Sequence, residues 1–526
     1  MVREDSQTSP ADPLWSLDRP LRRLVRRQYV TDDGDWLSFR DAPRIVVPPP
    51  GPRSRALLED QSRLETEALG YPHYFPIAPR LAQGSTIEDV DGNRFIDWVS
   101  GISVLNLGHR HPRLVAALEA QAKEIWHALE LPTDARVRFL KALESALPGS
   151  LRGHAKIFLT VTGGDAVETA VNLADYAQKR HGTVAFSGAY HGMHGGASNL
   201  TSGRRYRLPN AFPGGAIVRV PFPDPYRPVL DADSGAAGTL AYLEHLVQDP
   251  HSGVDSVSSV LVEPILGEGG YVVPPDDFLP SLREFCDRHG LLLIADEIQT
   301  GLGRTGRMWA VEHSRVTPDI VCIAKTIGGG LPLSVVAYRS DLVPELPRGF
   351  HLGTFRGNPL ALAVGAETLK VLGEGDLLDR TRHRGALVLD RLRDLQNRHP
   401  TLGDVRGRGF MIGIEFVRDR AGRQAWGDRA KAMRAALLAR GVLMHTAGSW
   451  DQVLRFMAPL VIEDELLERG LVAFEEALES LDSGPEMGRS SGRLGPHSAA
   501  HELRRPPEHA APVPGVPPVP GPVWDN

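Results

Sequence analysis

The sequence predicts an α/β protein: a large domain on a mostly parallel sheet, joined to a smaller α+β domain. Three observations carry this. Six short β-rich runs alternate with helical segments: Ile157–Val161, Thr183–Phe186, Val260–Glu263, Leu291–Ala295, Ile320–Ala324 and Ser334–Tyr338. These runs are unbroken rather than alternating, which suits strands covered on both faces by helices. Two further β signals fall outside the series: a hairpin at Ile87–Val99, turning at Asp91-Gly92, and Gly409–Phe416. They point to a second sheet to which both halves of the chain contribute.

Taken in order, the elements divide the chain as follows. Residues 1–48 are a peripheral extension with an arginine cluster (Arg19, Arg22, Arg23, Arg26 and Arg27), read as a solvated basic face. Pro48 to Pro52 marks a rigid connector. Residues 49–108 form the N-terminal part of the small domain. Residues 109–358 form the large domain, which begins with an amphipathic helix over His111–His127. Residues 359–482 return to the small domain and are expected to be mostly helical, closing with a helix at Glu463–Leu481. Residues 483–526 hold ten prolines and can bury little apolar surface, so a disordered tail is expected.

Composition excludes several classes. Of 526 residues, 42% are hydrophobic and 24% charged, the balance of a soluble globular protein. A formal charge of −6 argues against a nucleic-acid or membrane-surface binder. No apolar stretch approaches a membrane span, and the first residues lack a signal-peptide core, so a cytoplasmic protein is expected. Two cysteines, Cys286 and Cys322, are too few for a disulfide scaffold or a cysteine-based zinc site, and no metal is expected.

Lysine is scarce. The chain has only Lys123, Lys141, Lys156, Lys179, Lys325, Lys370 and Lys431. Lys325 alone ends an apolar strand and precedes a glycine run, Gly328-Gly329-Gly330. A nucleophilic lysine must be neutral, and in water only about one in a few thousand is neutral at pH 7. A partly desolvated strand end lowers that pKa, and the glycines leave room for a bulky group. Asp296 ends the preceding strand. A buried carboxylate needs a cationic partner, and the protonated ring nitrogen of pyridoxal phosphate supplies one. Glu263 ends a third strand, and ligands bind beyond such carboxyl ends. Thr162-Gly163-Gly164-Asp165, between strand and helix, could hold a phosphate on its backbone N–H groups. Tyr190 could stack on a planar cofactor.

At this point the sequence resembles the class III, pyridoxal-phosphate-dependent aminotransferases of fold type I, from about Pro49 to Leu481. The motifs are GGDAVETA at 163–170, FSGAYHG at 186–192, VEPILGEGG at 262–270, ADEIQTGLGRTG at 295–306, IAKTIGGGLPLS at 323–334 and GTFRGNPLA at 353–361. The resemblance implies that Lys325 is the Schiff-base lysine and proton shuttle, and that Asp296 partners the pyridine nitrogen. It implies that Gln299 contacts the ring hydroxyl, that Ile298 packs under the ring and that Tyr190 stacks on its other face. Gly163 and Gly164 would bind the phosphate. Thr354 would reach it from a neighbouring subunit, which implies a homodimer with shared active sites. Arg406 would grip a substrate carboxylate, and Glu268 would pair with Arg406 to mask it for an amine-ended donor.

One departure is Gly164, where the family has a serine. His351–Asn358 (HLGTFRGN) and the phosphate turn look most like 2,4-diaminobutyrate–2-oxoglutarate aminotransferases. The expected reaction therefore moves nitrogen from a diamino or ω-amino acid to a 2-oxo acid, with 2,4-diaminobutyrate and 2-oxoglutarate as the leading pair. 4-Aminobutyrate, ornithine and acetylornithine remain open as donors. A racemase or epimerase, and a non-catalytic scaffold that kept the fold, are the alternatives from other classes.

Overall fold

A computed structural model describes residues 36–66, 68–207, 216–230 and 235–483. The arginine cluster at 19–27 and the proline-rich tail from 484 lie outside them. The described residues through Leu481 belong to one compact unit.

Fifteen strands run in chain order among the described residues. They are β1 (Pro79–Gln83), β2 (Thr86–Asp89), β3 (Arg94–Asp97), β4 (Ala155–Thr160), β5 (Thr183–Phe186), β6 (Ile217–Val220), β7 (Ser259–Val262) and β8 (Leu292–Asp296). Then follow β9 (Ile320–Ile323), β10 (Ser334–Arg339), β11 (Leu402–Arg408), β12 (Met411–Phe416), β13 (Val442–Leu443), β14 (His445–Ala447) and β15 (Val453–Phe456).

Seven of them form the large sheet, in the order β4-β10-β9-β8-β7-β5-β6. Strands β5, β6, β7, β8 and β9 pair in parallel, while β10 runs antiparallel to both β4 and β9. The central strands are fully buried. Helix Gly163–Gln178 supplies Ala166, Val167, Ala170, Leu173 and Ala174 to one face. On another part of the sheet, Phe186, Phe222 and Phe278 meet edge-to-face with ring centroids 5.4–5.9 Å apart. Each such ring removed from water contributes roughly 1.5–3 kcal/mol.

The second sheet differs from expectation, because there are two. The hairpin β2–β3 joins β1 and β13 in one four-stranded sheet, and β11-β12-β15-β14 form another. Both ends of the chain do meet, through parallel pairing of β3 with β13. The region after Pro359 is mostly helical, as expected, in Pro359–Gly373, Leu377–Arg398, Gly427–Ala439 and the closing Asp464–Ser483, but it holds five strands where the sequence predicts only that at Gly409–Phe416. Of the others, β13 and β14 are two and three residues long, β11 is rich in charge and glycine, and the four-residue β15 is interrupted by Arg455. The amphipathic helix expected at His111–His127 ends at Gln121. Ile125, beyond that end, is exposed.

Candidate active site

Three adjacent parallel strands deliver the ionisable residues. Glu263 follows β7, Asp296 closes β8, and Lys325 follows β9 by one residue. All three line one cavity of about 1370 Å³, with Gly163, Gly164, Tyr190, His191, Ile298, Gln299, Glu268 and Arg455. The turn carrying Lys325 is anchored by Thr326 Oγ1, which donates to Ser103 O at 2.7 Å. Lys325 itself has φ 53°, a left-handed conformation that non-glycine residues seldom adopt and that clusters at functional sites.

Electrostatics follow from enclosure. Burial pulls the Lys325 ammonium below its ordinary value, against the opposing fields of Glu268, Asp296 and Glu263. Burial likewise pushes the Glu263 carboxyl up, His191 opposes this, and Asp296 reinforces it. Tyr190 is pushed up to about 12 by burial and by Glu268.

Asp296 is 3% exposed; its Oδ2 lies 2.7 Å from His191 Nδ1, and its Oδ1 accepts from Ile298 N at 3.1 Å. His191 was missed in the sequence reading, although it adjoins Tyr190 in FSGAYHG. At the phosphate turn, Thr162 Oγ1 accepts from Asp165 N and caps the helix, so the first helical N–H groups remain available. Asp165 also accepts from Val161 N at 3.0 Å and pairs with Arg356 at 2.7 Å. A Cβ at Gly164 would lie 2.9 Å from His194 Cε1, so the missing serine coincides with a histidine in its space.

The expected Arg406–Glu268 pair does not form. Arg406, on β11, spends its three nitrogens on Gly270 O (2.6 and 3.1 Å), Asp404 (2.8 Å) and Glu415 (2.7 Å). The neighbouring β12 supplies Glu415, so Arg406 is consumed by its own sheet and does not line the cavity. Glu268 pairs instead with Arg455 on β15, Nη1 to Oε1 at 2.5 Å. Arg455 is 1% exposed, and its Nη2 lies 2.9 Å from His445 Nδ1. The Glu268 carboxyl is held down to about 2: burial opposes this, but Arg455 outweighs it. The sequence did carry a signal for Arg455: one arginine inside the apolar strand Val453–Phe456 requires a buried anion. Thr354 is exposed and lies outside the cavity, its carbonyl 2.7 Å from His127 Nε2.

The residues fit pyridoxal phosphate. Among the described residues, buried His191 Nε2 and Gln299 Nε2 find no hydrogen-bond partner, and Gln299 lines the cavity with Lys325. A glycine-floored helix N-terminus, a buried carboxylate and a desolvated lysine match the phosphate, the ring nitrogen and the carbonyl of that group. No cluster of histidine, cysteine and acidic residues suited to a metal occurs among the described residues, and none of their helices is long and apolar enough to cross a membrane.

Residues 68–478 match the class-III aminotransferase family. The diaminobutyrate–2-oxoglutarate aminotransferase of Rhizobium meliloti is 37% identical, over 81% of this chain and 92% of that protein. The 4-aminobutyrate aminotransferase of Escherichia coli is 34% identical, over 81% and 98%. The alanine/serine racemase of Pyrococcus horikoshii is 33% identical, over 84% and 94%. Among solved structures, the ornithine aminotransferase of Toxoplasma gondii superposes with a TM-score of 0.71 at 28% identity, covering 82% of this chain and 96% of that one. A pyridoxal-phosphate-bound amine transaminase from an uncultivated Pseudomonas species gives 0.72 at 28%, covering 79% and 97%.

Proposed function

The chain belongs to the class III aminotransferases, enzymes of fold type I that use pyridoxal phosphate, and on that premise we propose that it moves an amino group from 2,4-diaminobutyrate to 2-oxoglutarate. The observation that carries the substrate class is the Glu268–Arg455 pair in the Lys325 cavity. Covered, the pair offers a carboxylate to the ammonium of a diamino acid. Uncovered, Arg455 offers a planar guanidinium to a carboxylate of the acceptor. Glu268 takes the masking role and Arg455 the gripping role that the sequence reading gave to Arg406.

When bound, pyridoxal phosphate acts as the electron sink for the transfer. The chain's residues supply the rest. Lys325 would hold the cofactor at its carbonyl carbon and would carry the substrate proton, a task that its lowered pKa suits. Asp296, contacted by His191, would face the ring nitrogen and favour its protonated form. Gln299 would contact the ring hydroxyl, Ile298 and Tyr190 would pack against the ring faces, and the N–H groups at Gly163 and Gly164 would take the phosphate.

The enzyme works as a homodimer in this reading. Exposed Leu352 and Phe355 flank Thr354 in sequence, and His127, whose neighbour Trp126 is also exposed, contacts Thr354 O and the Phe355 ring; a second copy would cover these apolar side chains while Thr354 entered its phosphate site. A cytoplasmic location is part of the same proposal and is checked by fractionation.

The deciding experiment screens 2,4-diaminobutyrate, 4-aminobutyrate, ornithine, acetylornithine and lysine for conversion of the bound cofactor to its amine form. Failure of 2,4-diaminobutyrate with success of 4-aminobutyrate overturns the donor assignment. The racemase relative motivates a control. Loss of α-deuterium from an amino acid without any 2-oxo acid would favour racemisation instead.

A further inference from the structure

We propose that Tyr206 is the latch that holds Glu268 over Arg455, and that Arg205 keeps the latch oriented. The proposal deepens the gate reading of Glu268 and Arg455 and rests on it. Glu268 is held at both oxygens by different elements. Oε1 accepts from Arg455 on β15, and Oε2 accepts from Tyr206 Oη at 3.2 Å, in the short helix Arg204–Arg207. The Tyr206 oxygen in turn accepts from Arg205 Nη2 at 2.6 Å, and Arg205 Nη1 pairs with Asp451 Oδ1 at 2.7 Å. A continuous chain of contacts therefore runs Asp451–Arg205–Tyr206–Glu268–Arg455. Tyr206, Arg205, Glu268 and Arg455 all line the Lys325 cavity.

The geometry fixes which way the latch acts. A phenol oxygen that accepts from a guanidinium has its one hydrogen to give elsewhere, and here it gives it to Glu268. Donation from Arg205 polarises the O–H and strengthens that second bond. The ring is confined as well. The Arg205 guanidinium lies 4.6 Å from its centroid, and Tyr190 meets it edge-on at 5.1 Å. Burial and Glu268 both keep Tyr206 protonated, so it remains a donor across the working pH range. Glu268 must therefore break a contact at each oxygen before Arg455 is free. Without the Tyr206 hydroxyl, only the ion pair holds it.

This predicts changes of opposite sign on the two substrates, which a merely structural role for Tyr206 would not produce. The holoenzyme of Tyr206→Phe is titrated calorimetrically with glutarate, a dicarboxylate that cannot react, and its KM for 2,4-diaminobutyrate is measured. Loss of one hydrogen bond to a charged group should tighten glutarate about ten- to hundredfold and raise the donor KM by a similar factor. Arg205→Gln, which leaves the ring in place, should give the same signs with smaller size. Unchanged constants, or constants that weaken together, overturn the latch. Glu268→Gln separates the two readings. If it shifts glutarate affinity and Tyr206→Phe does not, only the latch fails. If Glu268→Gln shifts nothing, the gate fails and the latch with it.

Discussion

His191 Nδ1 lies 2.7 Å from Asp296 Oδ2, and both side chains are buried. With Nδ1 donating to Asp296, the imidazole fixes the direction in which the carboxylate faces the cavity. His191 is a positioning residue. His191→Leu should slow the donor half-reaction about ten- to hundredfold, the cost of a hydrogen bond to a charged group. His191→Asn, which returns an N–H donor, should recover part of it. Asp296→Ala should cost more, about 10²–10³-fold. Single-turnover rates measure all three, and near-normal rates for Asp296→Ala would remove it from the mechanism.

Arg455 and Arg406 should separate cleanly in mutants. Arg455→Gln should raise the 2-oxoglutarate KM on the order of a hundredfold, since a buried charge pair loses one member at the substrate. Arg406→Gln removes the guanidinium shared by Asp404 and Glu415 within the β11–β12 sheet, and leaves Glu415 with Arg227 alone. Breaking such a pair costs roughly 3–5 kcal/mol of stability, so the thermal midpoint should fall several degrees with the acceptor KM little changed. A large KM change in Arg406→Gln with unaltered melting would restore the sequence-based assignment.

Glu297 gives a stability prediction with a defined sign. It is fully buried behind Asp296 and accepts from Thr300 Oγ1 and Val311 N. Burial raises its carboxyl from 4.5 to about 7. The fold thus keeps a proton that the unfolded chain releases near 4.5. That contribution, ~3 kcal/mol, is complete below about 4.5 and lost as pH rises through about 7. Between pH 5 and pH 8 the wild-type melting temperature should decline more steeply than that of Glu297→Gln. Parallel curves would refute the raised pKa.

Gly164 and His194 should behave as a coupled pair. Serine at 164 puts its Cβ against the imidazole, so Gly164→Ser should weaken pyridoxal phosphate binding several-fold. Adding His194→Ala should reverse that loss. Fluorescence titration of the apoenzyme with the cofactor reads both, and additive losses would dissociate the two positions.

The sequence made the catalytic strand ends legible because the runs before Asp296 and Lys325 are apolar enough to be buried on both faces. It left the direction of β10 open, since an unbroken apolar run reads alike whether its neighbours are parallel or antiparallel. Arg406 drew attention through its glycine-rich setting, VRGRG, yet its partners lie in its own sheet. Arg455 sits in a strand whose other residues are all apolar, and only tertiary structure brings Glu268 to it from behind β7. Tyr206 lies on a one-turn helix with no periodicity to notice. Local pattern thus revealed which residues end strands, but not which charges meet across the cavity.

The pairing of β13 with β3 has a consequence for how the chain acquires its shape. Ile96 and Asp97 wait for Val442 and Leu443, so the sheet begun near Pro79 stays incomplete until almost the whole enzyme has left the ribosome. Such distant pairing closes a very long loop late, and topologies rich in it fold slowly. Until then one edge of β3 is an open template for strands of other molecules. Truncation just before Val442 should therefore yield aggregates rather than a smaller soluble domain.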